Sequence, residues 1–554
     1  MWRSRSKLKI IQLAPILAIL ALMSWALASP VGSSPDDDFH LASIWCAAGD
    51  NANECRTVGD KTKRAVPEAL TRSACFRYKP EQSAACQGKN FDAGQSGLVT
   101  TSRGNFSGSY PPLYYLTMNL FVTSKIDVSV VLMRFVNILL VVGLFTVLYM
   151  LLPVNRRPSL VWGLTISVVP LGLFVVASIN PSAWAIISAG TLWISLVGYF
   201  ESSGAKKAGL GAIAALSTVL GAGARADAAV YAVIAIGAVV LLTARLNRRW
   251  IMSALLPFAL AVTAAVLFFT TRQSSVGLSG MPIGSGAPSQ ALSWRDLFLA
   301  NSLNVPSLWV GVFGTWGLGW LDTAVPAVVW VGSFGCFAAL AFGGLVSHST
   351  RKLLALTMTL GSLWLIPTYV SVQSGVIGGP QVQPRYILPL IILFGGIALF
   401  HVGGESLRLS KLQVVALVST LSVANAFALH FNMRRYTTGV GGKSRNLNTA
   451  NEWWWSIPVS PASVWVVGSL SFAAFLMIIA MATLFTRPQD QGFEHGAIVP
   501  VRSGARLDFV AQDEVVAGAT GLGKGQVRTK LLDGGGGPPG RQWVKLAWWA
   551  RNGQ

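Results

Sequence analysis

Twelve apolar runs, each long enough to cross a bilayer, leave this chain little choice of architecture. They fall at about 9–28, 129–152, 159–178, 183–200, 208–223, 228–244, 250–270, 325–346, 353–372, 386–402, 412–431 and 463–485 of 554 residues; a spanning helix needs roughly 20. Backbone in lipid must satisfy its own hydrogen bonds, so the expected fold is an all-α integral membrane protein of about 12 transmembrane helices. Only 12% of residues are charged, against roughly 25% in soluble domains. The formal net charge of +21 invites a nucleic-acid reading. Its Lys and Arg, however, are scattered in short clusters between the runs, without a nucleic-acid-binding motif, and no such partner is expected.

Those clusters orient the chain. Arg3, Arg5, Lys7 and Lys9 precede the first run, Arg156-Arg157 follow the second and Lys206-Lys207 the fourth. Arg245, Arg248 and Arg249 follow the sixth, Arg351-Lys352 the eighth, and Arg408 and Lys411 the tenth. The positive-inside rule then makes both termini cytoplasmic and leaves Arg225 and Arg385 on the outer side. Ala26-Leu27-Ala28 resembles a signal cleavage site, but the run is longer than a signal core, which favours a retained anchor.

The expected organisation is a first transmembrane helix (1–28), a large extracytoplasmic loop (29–128), a polytopic membrane domain (129–485) and a polar, Gly-rich cytoplasmic tail (486–554) expected to be disordered. Two further outer segments, about 271–324 and 432–462, separate runs; the second carries Trp453-Trp454-Trp455, a signature of the headgroup zone. The tail segment Gly518 to Gly525 imitates a phosphate-binding P-loop, but Gly525 stands where Ser or Thr should ligate magnesium. Cys46, Cys55, Cys75 and Cys86 share the first outer loop. In an oxidising compartment, and without a CxxC pair, they read as two disulfides with three connectivities open, rather than a zinc site.

Chemistry concentrates where the chain first emerges: Ser34-Pro35-Asp36-Asp37-Asp38-Phe39-His40. Ser34 as N-cap, Pro35 at N1 and acids in the first turn would make an ordinary capped helix. That leaves His40 unexplained, one turn from Asp36 and Asp37. Carboxylates with a neighbouring imidazole at a bilayer edge suit a general base or a divalent-cation site. Arg385-Tyr386, after Gln381, Gln383 and Pro384, is either an interfacial anchor or a guanidinium fork for phosphate. Arg225 and Asp227 form a structural ion pair or add a phosphate contact. Asp322 caps a helix or lines a groove. Asn180-Pro181-Ser182 reads as a turn, and His348, His401 and His430 as isolated span-end residues. Tyr110 to Tyr115, Tyr114 among them, forms a short interfacial helix whose rings shape a cavity roof or stack on sugars.

Three of these segments resemble the motifs of an uncharacterised bacterial family of polytopic membrane proteins, a domain of unknown function. They are Pro35-Asp36-Asp37-x-x-His40, matching Pro-Asp-Glu-x-x-His, then Gly319-Trp320-Leu321-Asp322-Thr323, and Gln383-Pro384-Arg385-Tyr386-x-x-Pro389. Pro111-Pro112-Leu113-Tyr114-Tyr115 adds a looser match. Asp37 replaces the usual Glu, and Gln383-Pro384 the usual Gln-Gly. The family looks like an outlying branch of the GT-C glycosyltransferases. The resemblance implies a GT-C-like fold in the bacterial cytoplasmic membrane, a polyprenyl-phosphate sugar donor and an envelope glycan or glycolipid acceptor. It implies a catalytic base at Asp36 or Asp37 with His40 beside it, and substrate contacts from Arg385, Tyr386, Arg225, Asp322 and Tyr114. No resident cofactor is implied, a divalent cation being the one candidate. The competing expectation is a transporter or flippase of an envelope lipid or lipid-linked sugar, for which twelve spans would also serve.

Overall fold

The chain leaves its first helix, α1 (Ala14–Leu27), directly into the acidic motif, which opens α2 (Asp37–Trp45). The computed structural model describes residues 10–51, 54–88, 97–245, 247–272, 293–378, 382–402, 409–442, 444–449 and 452–483. Arg3, Arg5, Lys7, Lys9, Gln381, Arg408 and the tail from 484, with its P-loop-like stretch, lie outside the described residues.

The first loop is a small folded unit. Strands β1 (Arg56–Thr57), β2 (Arg64–Pro67) and β3 (Leu98–Thr101) pair antiparallel in that order, Val66 opposite Val99. Two short helices belong to it, α3 (Glu68–Arg72) between β2 and β3, and α4 (Leu113–Asn119) after β3. Of the three connectivities, the disulfides are Cys46–Cys55, which ties the end of α2 to β1, and Cys75–Cys86.

The bundle comprises α5 (Ile126–Leu151), α6 (Arg157–Val168), α7 (Leu171–Val176), α8 (Ser182–Glu201), α9 (Gly204–Ala224), α10 (Ala226–Thr243), α11 (Arg248–Phe269), α12 (Trp294–Val310), α13 (Ala327–Gly344), α14 (Thr350–Gln373), α15 (Pro384–Ala398), α16 (Lys411–Thr437) and α17 (Pro461–Thr483). Among the described residues, ten helices are long and apolar enough to cross a membrane; α1 and α15 are shorter apolar helices. Helix α8 is central, 89% of its apolar window being buried, whereas α11 is 17% buried and turns most of its surface outward. Small residues allow close contact inside. A Cβ on Gly163 of α6 would meet the Cα of Gly396 on α15 at 2.7 Å. An apolar groove of about 360 Å³ opens between α1, α5, α6 and α17, lined by Trp25, Phe145, Leu164 and Phe475 among others.

Two elements depart from the hydropathy reading. The third run is broken into α6 and α7 at Pro170, which has no N–H to continue a helix. The second is α12, inside a segment expected to be a loop. With the π-turn that follows, it reaches Thr315 and is apolar enough to span. Yet Arg272 before it donates its N–H to Gly108 O, and Trp320 after it donates to Gly32 O. Both partners lie on the acidic-motif side, so Arg272 and Trp320 stand at the same face. Gly314, at φ 124, supplies the kink that ends the segment.

At the other end of the bundle, Arg156 forks onto Glu201 and donates to His401 O, joining loops that the charge pattern assigns to one side. Buried Lys352 donates to Gly344 O and Ser347 O, covering the exposed carbonyls at the end of α13.

Candidate functional site

The turn between α1 and α2 is held almost entirely by side chains from distant elements. Arg134 of α5 donates to Ala26 O, Ser29 O and Pro30 O at 2.6–2.8 Å. Trp455 donates to Leu27 O, Asn432 to Ala28 O, Trp320 to Gly32 O, Tyr436 to Ser33 O and Asn180 to Pro35 O. These carbonyls would otherwise be orphaned at a helix end. Gly32, at φ 81, has no room for a side chain: a Cβ would meet Ser73 O at 2.3 Å. Asp36 therefore stands on a rigid support.

Helix α2 starts two residues later than the expected Ser34 cap. Asp36 is its N-cap residue, at φ 63 and ψ 18, and its side chain makes no cap hydrogen bond. A left-handed non-glycine residue costs on the order of 1 kcal/mol and is tolerated best by Asp and Asn. Among the described residues the non-glycine residues at positive φ are Asp36, Tyr78 and Leu321, all in segments around this turn. With its cap role removed, the Asp36 carboxylate is free to face elsewhere.

It faces Arg385. Nη2 of Arg385 donates to Oδ2 of Asp36 at 2.6 Å and to the Tyr386 hydroxyl at 3.0 Å. Arg385 follows Pro384 in the first turn of α15, and only 4% of its side chain is exposed, against 32% for Asp36. Nε and Nη1 of Arg385 are buried without a protein partner. On its other oxygen Asp36 meets Nη2 of Arg103 at 3.4 Å. Arg103 forks onto Asp38 through Nε and Nη2, and Arg77 also pairs with Asp38.

The three carboxylates differ sharply. Burial raises the Asp36 pKa, but Arg385 above all, with His40 and Arg103, outweighs it and holds the carboxyl at about 2. Asp37 is 1% exposed. Its Oδ2 accepts the Ser34 N–H, while Oδ1 has no partner. Burial, opposed by Arg134, pushes it up to about 7. Asp38 is enclosed by two arginines. Only Asp36 is both ionised and open.

His40 stays within electrostatic reach of Asp36, but its hydrogen bond goes elsewhere. Its Nδ1 meets the Tyr115 hydroxyl at 3.0 Å, and burial lowers the imidazole to about 3, leaving it neutral. Arg225 forks onto Asp227 and donates to Ser182 Oγ. The Arg225 guanidinium also lies over Tyr386 at 4.7 Å and over Tyr110 at 5.7 Å, so the ion pair and the proximity to Arg385 coexist. Asp322 pairs with Arg435 at 2.9 Å. Arg435 in turn holds the Cys75–Cys86 segment by Phe76 O, Lys79 O and Gln82 O, which makes Asp322 a clamp beside the site. Tyr114 is fully buried against Trp184 and Tyr115; Tyr110 is the ring near Arg225. Among the described residues, no group of three or more His, Cys, Asp or Glu is placed to hold a metal ion.

Sequence reasoning missed Arg103, Arg77 and Arg134. Arg134 carried a signal, being a charge inside an apolar run. Arg77 and Arg103 carried none.

The fold and site define a helical membrane bundle in which an acidic turn meets an Arg-Tyr helix start. Residues 19–394 match the family described as "Predicted membrane protein (DUF2142)", a domain of unknown function, and the chain belongs to it. No curated protein matches the chain.

Proposed function

We propose that this protein is a GT-C-like membrane glycosyltransferase, which moves a sugar from a polyprenyl-phosphate donor to an envelope glycan or glycolipid. Arg385 carries the reading: a buried guanidinium with two unpartnered nitrogens, beside an open carboxylate 349 positions away in sequence. A buried cation with unused donors suits an oxyanion, and a planar fork matches phosphate. Tyr386 and Arg225 border the same place. The apolar groove beside α1 is a wall of the kind a lipid chain covers.

In this reaction the acceptor hydroxyl forms a bond to the anomeric carbon while the bond from that carbon to the phosphate oxygen breaks. The hydroxyl proton passes to Asp36, and polyprenyl phosphate departs with the bonding pair. Phosphate is a good leaving group, so a base and a fixed positive charge suffice. Asp36 takes the base role in preference to Asp37, which is sealed from solvent. Transport of a lipid-linked sugar is the runner-up, favoured by the helix break at Pro170; transporters, however, gather polar groups near the midplane, whereas here the ion pairs lie at the two ends of the bundle.

The test uses membranes supplied with a radiolabelled polyprenyl-phosphate sugar. Asp36→Asn should abolish transfer at unchanged expression, and Asp37→Asn should keep most of it. Normal transfer by Asp36→Asn removes the base assignment. No transfer by the wild-type protein with any donor would favour transport.

A further inference from the structure

The acidic residue and the arginine of this site meet in an arrangement that raises a difficulty for the reaction just described, since a base tied to a guanidinium cannot take a proton. Resting on that reading, we propose that Asp36 is the resident counter-ion of Arg385 and that the donor's phosphate displaces it, so that the base is released only once the donor is bound.

The geometry of the guanidinium carries this. An arginine binds an oxyanion bidentately through one of two edges, Nε with Nη2 or Nη1 with Nη2, and both edges share Nη2. Every fork onto a carboxylate here uses Nε and Nη2: Arg103 on Asp38, Arg156 on Glu201 and Arg225 on Asp227. Arg385 breaks the pattern. Its Nη2 gives one hydrogen to a single oxygen of Asp36 and the other to the Tyr386 hydroxyl, while Nε and Nη1 are buried and unpartnered. A phosphate that takes the edge Asp36 occupies must move Asp36 off Nη2; one that takes the other edge must displace the Tyr386 hydroxyl and brings its charge against the same carboxylate.

Asp36 is suited to being moved. It touches Arg385 through one oxygen, is a third exposed, and has Arg103 at 3.4 Å as its other neighbour. Asp38, by contrast, is gripped by a fork and a second arginine at 2.7 Å. Once phosphate neutralises Arg385, the largest attraction holding Asp36 ionised is gone, while the burial that opposes ionisation remains. Its affinity for a proton rises in the complex that needs a base. The expected order is donor before acceptor activation.

The probe is polyprenyl monophosphate, with polyprenyl alcohol as the uncharged control, titrated against the full chain in lipid nanodiscs. Asp36→Asn and Asp36→Gly both accept the positive φ. Each should bind the monophosphate about tenfold more tightly than the wild type, a difference of about 1.4 kcal/mol. Arg385→Gln should bind it no better than the alcohol. Unchanged or weaker binding by both Asp36 variants, with Arg385→Gln still deficient, overturns the displacement and leaves the phosphate seat standing. Tightening in Asp36→Asn alone would report a bond from the new amide and likewise overturn it. If Asp36→Gly does not fold, Asp36→Ser takes its place, since it also lacks the amide. Binding by Arg385→Gln equal to the wild type, or no binding by any form, overturns the displacement together with the function it rests on.

Discussion

Arg156 and Arg385 look alike by burial and differ in what they leave undone. Each is less than 10% exposed, each meets a carboxylate at 2.6 Å, and each of those carboxylates is about a third exposed. They belong to opposite ends of the bundle: Arg385 opens α15, and His401, bound by Arg156, follows its end. Fifteen helical residues put roughly 22 Å between those positions. Arg156 uses every guanidinium nitrogen, on Glu201 and His401 O, and stacks over Phe400 at 4.1 Å. Arg385 uses one. A completed arginine is a fastening between loops; an incomplete one in a rigid setting is a seat for something else. Hydrogen-bond completeness, rather than depth or charge, separates the two.

Removing each arginine should split function from stability. Arg385→Gln is expected to lower transfer by about a thousandfold, the scale for losing a preorganised charge contact, with a thermal midpoint in detergent within a few degrees of wild type. Arg156→Gln is expected to destabilise the fold by about 3 kcal/mol, because Glu201 is left without its partner, with transfer per folded molecule unchanged. Denaturation scans and transfer assays on both variants measure this. Equal effects on both readouts would erase the distinction.

The Cys75–Cys86 bridge sharpens the picture on the site face. It closes an 11-residue separation around the carbonyls that hold Arg435. Replacing both cysteines by Ser should lower stability by about 2 kcal/mol through a looser unfolded chain and reduce transfer modestly. A thermal midpoint equal to that of the wild type would show that the clamp forms without it.

The smallest effect concerns Asp37. Burial pushes its pKa up to about 7, above the 3.8 of an exposed aspartate, so the native state holds a proton that the unfolded chain has released. Stability attributable to Asp37 is present below about pH 4 and declines as pH rises toward 7. Arg134, Asp36 and Asp38 are the charges that act on it. Asp37→Asn should flatten this decline, by on the order of 1 to 2 kcal/mol once water penetration is allowed for. The check is the thermal midpoint from pH 4 to 8; identical slopes in variant and wild type would contradict the burial argument.

Much of this molecule is legible in its sequence because lipid imposes one rule on every span. Nine of the twelve expected runs became helices of spanning length, two became shorter apolar helices, and the third run broke at Pro170. Helix α12 escaped notice because Arg295, Asp296, Asn301 and Asn304 interrupt its apolar pattern. At the site, Asp36 and Arg385 stood out singly as charges at membrane edges. Their contact did not, since no local periodicity links positions 349 apart. Nor did the direction of His40: its spacing from Asp36 is helical, its N–H bonding Asp36 O, yet its ring follows Tyr115. Asp37 and Tyr114 were singled out by type, and burial, which sequence reports poorly for polar residues in a membrane protein, set them aside from the open site.

The direct measurement is an electron cryomicroscopy structure of the full chain in nanodiscs with a polyprenyl-phosphate sugar. Phosphate oxygens within hydrogen-bond distance of two Arg385 nitrogens, with the anomeric carbon turned toward a detached Asp36 carboxylate, are what this mechanism requires. A lipid phosphate bound elsewhere, with the 2.6 Å pair between Asp36 and Arg385 intact, would contradict it.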